Sequence, residues 1–563
     1  MAADVVIEQT AYGYDGDGNL IETVDAQRFN TDSITGSSAE GALFTDTVNA
    51  DGSLDVTPAS DSNAELGARI YYSATYDDAA DRPIASVNAG TNPVGTNGAA
   101  TPWTRPTTAP ASVTDANFTG DLINLTRYNP AGYVYETTDP RGIVSADFYN
   151  NLGEVTETIA AYDPSVNGGS PTSDQNQTTS YTYDGLGDQT SMTAENVDAN
   201  TGALTDQTTQ YIYGVSPSTG SQITSNDLLY QTIYPIVAQT SSSAVTNSYN
   251  ALGQVIQSTD RDGNVHQYTY DALGRLTSDT VATLGAGVDG SVLRIDTAYN
   301  NQGLPYLLTS YADTAGTQIV NQVENIYNGL GQLTQQYQAV TGAVDIATTP
   351  YVGYTYSDPS TGSLLKAMVY PNGRTIDYSY GPGMGNANAA LDRAIGRLDA
   401  IVDGANSGDS GEVLEQYSYL GLSTIVARNR PQSSVSLVSF VVESVGAGGD
   451  QYVGLDQFGR VVNQNWVDAA TGTSVDNYTY SYDADGNVTS KANNLDSTYS
   501  EAYTYDNLNR LTSTTRNGAA YQSWNLDSQG NWSGFTNQGA TQTETANSQN
   551  QITSISGTAK RLC

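Results

Sequence analysis

Polar and apolar side chains alternate along most of the chain, in short runs that end at turn-forming residues. In the segment HQYTYDALGRL, which begins at His266, Tyr268 and Tyr270 lie two positions apart with Thr269 between them. A spacing of two places both tyrosines on one face of a β-strand and the threonine on the other face. Runs with apolar residues at helical spacing are scarce, so the pattern predicts an all-β protein.

The same sequence frame recurs along most of the chain. A tyrosine is followed by Asp or Asn, two variable residues and a glycine, after which an apolar residue resumes the alternation. Several neighbouring copies are 21 residues apart, and Gly220 and Gly362 belong to a form with a longer turn. Such a period is typical of a repeat protein, which grows by adding units instead of separate cores. The glycine position of the frame is held by Gly18, Gly132, Gly153, Gly187, Gly253, Gly274, Gly303, Gly331, Gly459, Gly486, Asn509, Gly530 and Asn550.

Each frame has the composition of a tight turn between antiparallel strands. Asp271 fits the first turn position and Gly274 the last, as in a type I turn that ends in a left-handed residue. Asn509 and Asn550 replace the glycine, and Asn tolerates positive φ best after Gly. A second turn with Asp-Gly or Asn-Gly, as in TDRDGNV and VYPNGRT, joins successive units. Aspartate is expected at the first turn position at Asp15, Asp184, Asp271, Asp483 and Asp506.

Tyrosine is unusually frequent, with 40 Tyr against 7 Phe and 4 Trp. Its ring packs on a sheet while its hydroxyl meets water or a partner, which suits an exposed β wall. About sixteen two-strand units would make a ribbon roughly 150 Å wide, or about 50 Å across if it rolled into one turn. The paired tyrosines that precede the turns are Tyr181 and Tyr183, Tyr268 and Tyr270, Tyr354 and Tyr356, Tyr378 and Tyr380, Tyr480 and Tyr482, and Tyr503 and Tyr505.

The frame resembles the YD-repeat, or RHS-repeat, family, and the best copies are Tyr270–Leu276 and Tyr505–Leu511. The resemblance extends over roughly residues 122–552, with one more copy at Tyr14–Leu20. It implies an antiparallel hairpin ribbon that spirals into a hollow shell or barrel-like strip, as in bacterial toxins, toxin-complex subunits and surface adhesion proteins. The Asp-Pro-x-Gly-Leu element that closes toxin-type shells is not found, and thirteen residues follow Asn550. We therefore expect neither a shell-closing segment nor a toxin domain in this chain.

The repeat pattern divides the chain into four parts. Residues 1–83 are expected to form a β region with degenerate repeats, and residues 122–555 the main repeat array. Residues 84–121 are rich in Gly, Pro and Thr without alternation, which predicts an irregular insertion or plug-like loop. Trp103 would anchor this loop over an open end, and a mobile linker is the alternative. Residues 556–563 are expected to be a tail.

The charge balance excludes several classes of partner. Sixty acidic residues against 21 Lys and Arg give a formal net charge of −39, which disfavours nucleic acid and anionic membrane surfaces. No apolar run is long enough for a transmembrane helix, and the first residues lack the features of a signal peptide. The single cysteine, Cys563, rules out an intrachain disulfide. An extracellular or cell-surface location is expected, because salt screens the self-repulsion there.

Few residues are candidates for chemistry. His266 is the only histidine, and a structural role is favoured because a general base needs a nucleophile and an orienting group. The segments DGDGN at Asp15–Asn19 and DADGN at Asp483–Asn487 resemble the start of calcium loops, but a glutamate at the twelfth position is missing. No catalytic residue, metal ligand or cofactor is therefore expected, and calcium stays an alternative.

These patterns favour a non-enzymatic structural shell protein, serving as an extracellular scaffold, container wall or adhesion element. One alternative is a carbohydrate-binding or polysaccharide-processing protein that uses a concave surface lined with Tyr and Asp. Another is a truncated toxin-delivery shell. The expected partners are further copies or neighbouring repeat chains, with glycans or an encapsulated polypeptide as further alternatives and without nucleic acid or membrane insertion.

Overall fold

The computed structural model describes residues 6–29, 42–59, 68–91, 102–198, 200–235, 244–357, 362–381, 389–404, 411–438, 452 and 454–557. These residues are almost entirely β-strands and turns, with one α-helix (α1, Ala389–Ile395). The one-turn 3-10 helices are Ala116–Phe118, Val166–Gly169, Pro217–Thr219, Pro431–Ser433 and Ser497–Tyr499.

The strands are short and follow one another at the spacing of the sequence repeat. The first are β1 (Glu8–Tyr14), β2 (Leu20–Arg28), β3 (Phe44–Val48), β4 (Leu54–Pro58), β5 (Ala68–Asp77), β6 (Pro83–Thr91), β7 (Leu122–Tyr128), β8 (Val134–Thr138), β9 (Val144–Tyr149), β10 (Val155–Ala160), β11 (Gln177–Tyr183) and β12 (Gln189–Val197). The next are β13 (Leu204–Val215), β14 (Ser225–Ile233), β15 (Ala244–Tyr249), β16 (Val255–Thr259), β17 (Val265–Tyr270), β18 (Leu276–Thr283), β19 (Arg294–Tyr299), β20 (Pro305–Tyr311), β21 (Ile319–Tyr327), β22 (Leu333–Ala339), β23 (Tyr351–Tyr356), β24 (Leu365–Val369) and β25 (Thr375–Ser379). The last are β26 (Ala400–Gly404), β27 (Glu412–Leu420), β28 (Thr424–Arg430), β29 (Val435–Val438), β30 (Asn463–Asp468), β31 (Ser474–Tyr482), β32 (Val488–Asn493), β33 (Glu501–Tyr505), β34 (Leu511–Arg516), β35 (Ala519–Leu526), β36 (Trp532–Asn537), β37 (Ala540–Ala546) and β38 (Ile552–Gly557).

One antiparallel sheet of 36 strands runs through the described residues, and each strand pairs with its neighbours in the chain. The strands β3 and β4 form a separate hairpin, so β2 pairs directly with β5. This connectivity confirms the predicted all-β ribbon of hairpins. The sheet has 36 strands, a few more than the 32 that sixteen two-strand units would give.

The repeated turn also bends the ribbon. On β17 and β18, Thr269 pairs with Ser278 and Tyr270 pairs with Leu276, so Thr277 is an extra residue in a β-bulge. The same shift precedes other turns, including those after Tyr183, Tyr327 and Tyr505. A bulge increases the local twist. Because the bulges lie at the same edge each time, their twist accumulates in one direction and coils the ribbon.

Successive turns alternate between the two edges of the ribbon, because neighbouring strands are antiparallel. We call the edge with the Tyr-Asp turns the motif rim; it includes the turns at residues 15–18, 271–274 and 506–509. The other edge, the opposite rim, includes the turns at residues 139–142 and 260–263.

Deep apolar burial is confined to small clusters, mainly beside the first strands. One cluster joins Val24 of β2, Phe44 and Val56 of the β3–β4 hairpin, and Ile70 and Tyr72 of β5. A second cluster lies on β5, β6 and β7, and a third contains Phe29 and Leu420. The hairpin β3–β4 therefore covers one face of the first strands, where a lone sheet would leave apolar residues in water.

The rest of the sheet is a thin wall with two exposed faces. The chain has an accessible surface of 28799 Å². A compact monomer of this mass would expose roughly 19,000 Å². Most strand residues of the repeat array are accordingly half-buried on both faces, which is the expected property of a hollow or open structure.

The segment 84–121 is only partly irregular. Its first residues belong to β6, where Ala85, Val87 and Ala89 alternate and are buried against neighbouring strands. The predicted boundary was wrong there, because small residues and Gly90 obscured a real alternation. Residues 92–101 lie outside the described residues. The part from 102 onward packs on the sheet through Trp103, which contacts both apolar clusters of the first strands.

Two local features were not expected from the repeat. The helix α1 lies between β25 and β26, and its buried Asp392 accepts a 2.6 Å hydrogen bond from Arg397 Nε. Strand β38 extends to Gly557, two residues into the expected tail. Cys563 lies outside the described residues. None of the described helices has the length and hydropathy needed to span a membrane.

Candidate functional site

The repeated turn is held by one carboxylate. Asp271 Oδ1 accepts hydrogen bonds from the backbone N–H groups of Leu273 (2.9 Å) and Arg275 (3.0 Å). Gly274 N donates to Asp271 O, and Arg275 Nε donates to Asp271 Oδ2 at 2.7 Å. The hydrogen bond from the Arg275 side chain lowers the pKa of Asp271, so the carboxylate stays charged. The aspartate is therefore a turn cap, as its position in the frame suggested.

All thirteen positions assigned to the left-handed turn residue have positive φ, from 58° at Asn509 to 93° at Gly18. Asp15, Asp184, Asp483 and Asp506 each accept the N–H groups two and four residues ahead, and Asn fills the same role in other copies. Gly220 and Gly362 of the longer turns also have positive φ. A single Asx-type geometry thus accounts for both Asp and Asn at the first position.

Two turns of the opposite rim, at residues 139–142 and 260–263, use the same geometry as the motif turns. In TDRDGNV, Asp260 is the first residue and Gly263, with φ of 84°, is the last. The turn is therefore a four-residue Asp-x-x-Gly, of which the Asp-Gly pair seen in the sequence is only the second half. The motif residue is Asp260, not Asp262.

One copy of the motif was missed in the sequence. In the turn after β5, Asp78 caps the backbone and Asp81 holds the left-handed position with φ of 57°. Aspartate in place of glycine hid this copy. A signal was nevertheless present, because Arg82 bonds Asp78 in the way that Arg275 bonds Asp271.

In many repeats, the last tyrosine before the motif turn bonds to the previous repeat. Tyr270 Oη donates to Val255 O at 2.7 Å, and Val255 lies two residues after the preceding motif glycine. Burial raises the pKa of Tyr270, which keeps this hydroxyl a donor. We call this row of bonds the tyrosine ladder. It also joins Tyr128 to Pro83, Tyr149 to Val134, Tyr183 to Val155, Tyr299 to Leu276, Tyr327 to Pro305, Tyr356 to Leu333, Tyr419 to Leu398, Tyr482 to Val461 and Tyr505 to Val488.

The two faces of the ribbon differ in chemistry. All twelve paired tyrosines assigned from the sequence are half-buried on one face. The residue between each pair is on the other face, where hydroxyl groups bond across strands. The hydroxyl oxygens of Thr182 and Ser191 are 2.6 Å apart, and those of Thr504 and Ser513 are 2.7 Å apart. One face is thus aromatic and the other is rich in Thr and Ser.

The ribbon overlaps itself where the motif rim of its last strands meets the opposite rim of its first strands. Arg510 Nη2 donates to Ser173 O at 2.8 Å, and Asn507 Nδ2 donates to Asp174 Oδ2 at 3.0 Å. We call this interface the seam. Further seam bonds join Gln457 to Gly120, Arg141 to Asp485, Asn525 to Asn200, Ser528 to Val197, Asn550 to Gln207, Arg261 to Gln549 and Leu422 to Glu8.

The seam is polar and contains a close pair of carboxyl groups. Arg141 N donates to Asp485 Oδ1 at 3.2 Å, and Arg141 Nε lies 3.6 Å from Asp483 Oδ2. Asp139 faces Asp485 across the seam. Burial, and next the contact with Asp485, raise the pKa of Asp139. Coiling of the ribbon therefore places the carboxyl groups of Asp139 and Asp485 close together, so the charge on Asp139 affects the stability of the seam.

His266 lies on the aromatic face and is paired. Its Nδ1 is 2.8 Å from Asp279 Oδ1, and its ring stacks on Tyr268 with 6.1 Å between centroids. Ser258 lies opposite on β16, so Ser, His and Asp share three adjacent strands. No hydrogen bond joins Ser258 Oγ to the His266 ring. Asp279 is the cross-strand partner of Tyr268 in the regular pairing of β17 with β18. The arrangement is that of a cross-strand pair on a wall.

The two calcium candidates are occupied by their own turns. Asp15 Oδ1 accepts from the N–H groups of Asp17 and Asn19, and Asp483 Oδ1 does the same for Asp485 and Asn487. In the part of the chain that the structure describes, no three His, Cys, Asp or Glu side chains are grouped as metal ligands would be. Both segments therefore have the hydrogen bonds of the repeated turn.

Comparisons with known proteins agree with the repeat. The profile of the RHS Repeat family matches residues 249–286 and 482–520, which contain the turns at Gly253, Gly274, Gly486 and Asn509. No curated protein matches the chain closely enough to serve as a relative.

The fold is similar to that of large toxin assemblies. The crystal structure of TcdB2-TccC3-TEV is 15% identical over 98% of this chain, with a TM-score of 0.52. The Photorhabdus luminescens Tc holotoxin pore is 14% identical over 98% of this chain, with a TM-score of 0.51. This chain spans about a quarter of the matched chains, 26% and 25% respectively. Two segments of the chain thus match the RHS repeat, and the chain as a whole has a fold similar to that of RHS shell structures.

Proposed function

We propose that this chain is a non-enzymatic wall element of an extracellular or surface-associated shell, and that the shell surrounds a polypeptide. The seam is the observation that carries this proposal, because it makes the ribbon a closed coil and not a flat strip. Among the described residues, 25 strands, β9 to β33, separate the turn at Asp139 from the turn at Asp506. At ~4.8 Å per strand, one turn of the coil has a circumference of about 120 Å and a diameter of about 38 Å.

That width leaves room inside the coil. A wall one sheet thick, about 10 Å, leaves an interior of roughly 28 Å, wider than an α-helix with its side chains. The estimate of one turn about 50 Å across was too large, because the ribbon closes after 25 strands and then overlaps itself. Wall function also agrees with the chemistry, since His266 is paired with Asp279 and the repeated aspartates cap turns.

The proposed location and cargo of the shell are argued from the net charge of the chain. With 60 acidic and 21 basic residues the wall repels anionic surfaces and favours a basic or neutral occupant. One of the matched structures is named as a Tc holotoxin pore, and an enclosed polypeptide is the corresponding proposal for this chain.

Glycan binding has weaker support. A groove of about 430 Å³ is lined by Arg294, Asp296, Tyr299 and Tyr311, which are residue types that bind sugars. However, Arg294 makes two hydrogen bonds to Asp296, at 2.7 and 2.9 Å, so these groups already satisfy each other. The wall function is therefore favoured.

Removing one seam arginine tests the coil. Arg510→Ala deletes the bonds to Ser173 and to the turn at Asp527, so backbone amides of residues 173–175 and 506–510 should exchange hydrogen faster. Small-angle X-ray scattering should show a larger maximum dimension. Arg275→Ala is the matched control, because Arg275 holds the same turn position but lies away from the seam. Equal exchange in both variants at these turns would contradict the coil, and with it the proposed function.

A further inference from the structure

The motif rim is used in two ways along the chain. In the last strands it forms the seam, and the third residue of each turn is half-buried there. These residues are Phe458, Asp485, Leu508, Gln529 and Gln549. In the first coil, by contrast, five third-position residues are leucines that are 62–83% exposed. They are Leu152, Leu186, Leu252, Leu273 and Leu330.

The turn itself does not require leucine at this position. Only the backbone N–H of the third residue bonds the capping Asp or Asn, as Leu252 N does to Asn250 Oδ1. Ala131 and Gln302 occupy the same position in other turns of the first coil. Leucine side chains so exposed, and repeated along one edge, mark an interaction surface.

The opposite rim of the last strands is the other end of the coil, and its turns also expose apolar groups. Leu495 is 52% and Tyr499 57% exposed in the turn between β32 and β33. Pro431, Ala469 and Ala470 are exposed in the two preceding turns of this rim. The bonds described at these turns are local, such as that from Ala469 N to Ser434 O.

The two free rims match each other as the two seam rims do. The seam joins a motif rim to an opposite rim through polar groups such as Arg510, Asn507 and Asp174. The free rims are the same two types of edge, and both expose apolar side chains between their polar turn residues. Turns on each rim repeat every two strands, about 9.6 Å apart, so turns can meet turns in the same register as in the seam.

We propose that copies of this chain stack head to tail, with the leucine-bearing motif rim of one copy seated on the Leu495–Tyr499 rim of the next. The contact continues the seam from one molecule to another. It uses two different surfaces and is therefore heterologous, so it builds a linear tube instead of a closed dimer. A copy with 36 strands at 25 strands per turn makes about 1.4 turns, so it contributes about 1.4 ribbon widths, or roughly 32 Å, to the length of the tube.

The net charge sets the conditions for stacking. Each copy carries −39, and the rim itself includes Asp184, Asp188 and Asp227. Like charges oppose stacking at low ionic strength, while salt screens them and leaves the apolar contact. Association should therefore strengthen as salt is raised, which is opposite to the behaviour of a contact held by ion pairs.

Sedimentation velocity of the whole chain tests the proposal. Between about 0.05 M and about 0.5 M NaCl, association should strengthen at least tenfold, and negative-stain micrographs at high salt should show tubes. The double variants Leu252→Ser/Leu273→Ser and Leu495→Ser/Tyr499→Ser should each weaken self-association at least tenfold. Ile212→Ser is the control, since Ile212 is 40% exposed but lies within β13, away from both rims.

Mixing the variants tests the head-to-tail geometry. Each double variant keeps one intact rim of opposite type, so an equimolar mixture should form 1:1 dimers and nothing longer. A wild-type chain that stays monomeric at every salt concentration would overturn the proposal, as would a loss of association from the leucine variant alone. Small-angle scattering of each variant monomer separates this result from failure of the coil itself, because the coil should be unchanged.

Discussion

At the scale of single residues, the protein repeats one requirement many times. Each turn needs a side-chain oxygen at its first position and a left-handed backbone at its last. Asp and Asn meet the first requirement equally, because one oxygen accepts both N–H groups. Gly meets the second most often, while Asn509, Asn550 and Asp81 do so at some cost. The motif accepts these substitutions because each turn needs only one side-chain oxygen and one left-handed backbone position.

Gly253 isolates the backbone requirement, because its φ is 77° and a Cβ there would meet open space. We expect Gly253→Val to lower the free energy of unfolding by about 1–3 kcal/mol, since a β-branched residue resists positive φ. Gly253→Asn should lower it by less than about 1 kcal/mol. Urea titrations followed by fluorescence measure both. Equal losses would show that packing, and not φ, decides this position.

At the scale of strands, stability comes from bonds between repeats and not from a central core. Where it is present, the tyrosine ladder fixes a hairpin to the previous one through a hydroxyl and a carbonyl, which holds the two units in register. The hydroxyl pairs on the other face add cross-strand contacts. This suits a wall that has solvent on both sides and buries few side chains completely.

The two tyrosines of β17 separate the ladder bond from ring packing. Tyr270→Phe removes the 2.7 Å bond to Val255 O, and should lower the free energy of unfolding by about 0.5–1.5 kcal/mol. Tyr268→Phe is the control, because no hydrogen bond to the Tyr268 hydroxyl is found among the described residues. Thermal unfolding of the two variants measures the difference. A Tyr268→Phe effect as large as that of Tyr270→Phe would rule out the ladder as the stabilising contact.

At the scale of the whole molecule, the seam decides whether the ribbon is a strip or a coil. Its contacts join residues 288 to 414 positions apart, from Arg261 with Gln549 to Glu8 with Leu422. Loop closure over such distances costs more than pairing neighbouring hairpins. The coil is therefore the part of the structure most sensitive to conditions such as pH.

Asp139 makes the seam dependent on pH. Its pKa is raised in the folded state, so the folded protein gains stability as pH falls through that pKa, and loses it as pH rises above. Asp139→Asn keeps the acceptor for Ile143 N but removes the charge beside Asp485. We expect a higher Tm than wild type at about pH 8, and a smaller difference at about pH 4.

Asp271→Asn is the matched control for this pH series. The pKa of Asp271 is lowered by Arg275, so its carboxylate stabilises the fold above the ordinary carboxyl pKa, and that stability is lost as pH falls. This substitution should lower Tm at about pH 8. Parallel shifts in the two variants would mean that Asp139 acts as a turn cap only.

The local structure was predictable because each unit carries its own signal. Alternation, the Tyr-Asp frame and the left-handed position lie within about ten residues, so strands and turns are fixed by neighbours in the chain. Prediction from the sequence failed where another residue type replaced the glycine of the turn, or where a segment did not follow the alternating pattern. Asp81 stands in a glycine slot, small residues obscure β6, and α1 interrupts the repeat at Ala389–Ile395.

The sequence by itself determined an all-β hairpin ribbon with one turn chemistry, because those features depend on neighbouring residues. Only the tertiary structure decided which rims meet, since the register of the seam depends on twist accumulated over 25 strands. Seam residues such as Arg510 and free-rim residues such as Leu273 occupy equivalent turns. Their different roles follow from where the coil places them, which no local pattern encodes.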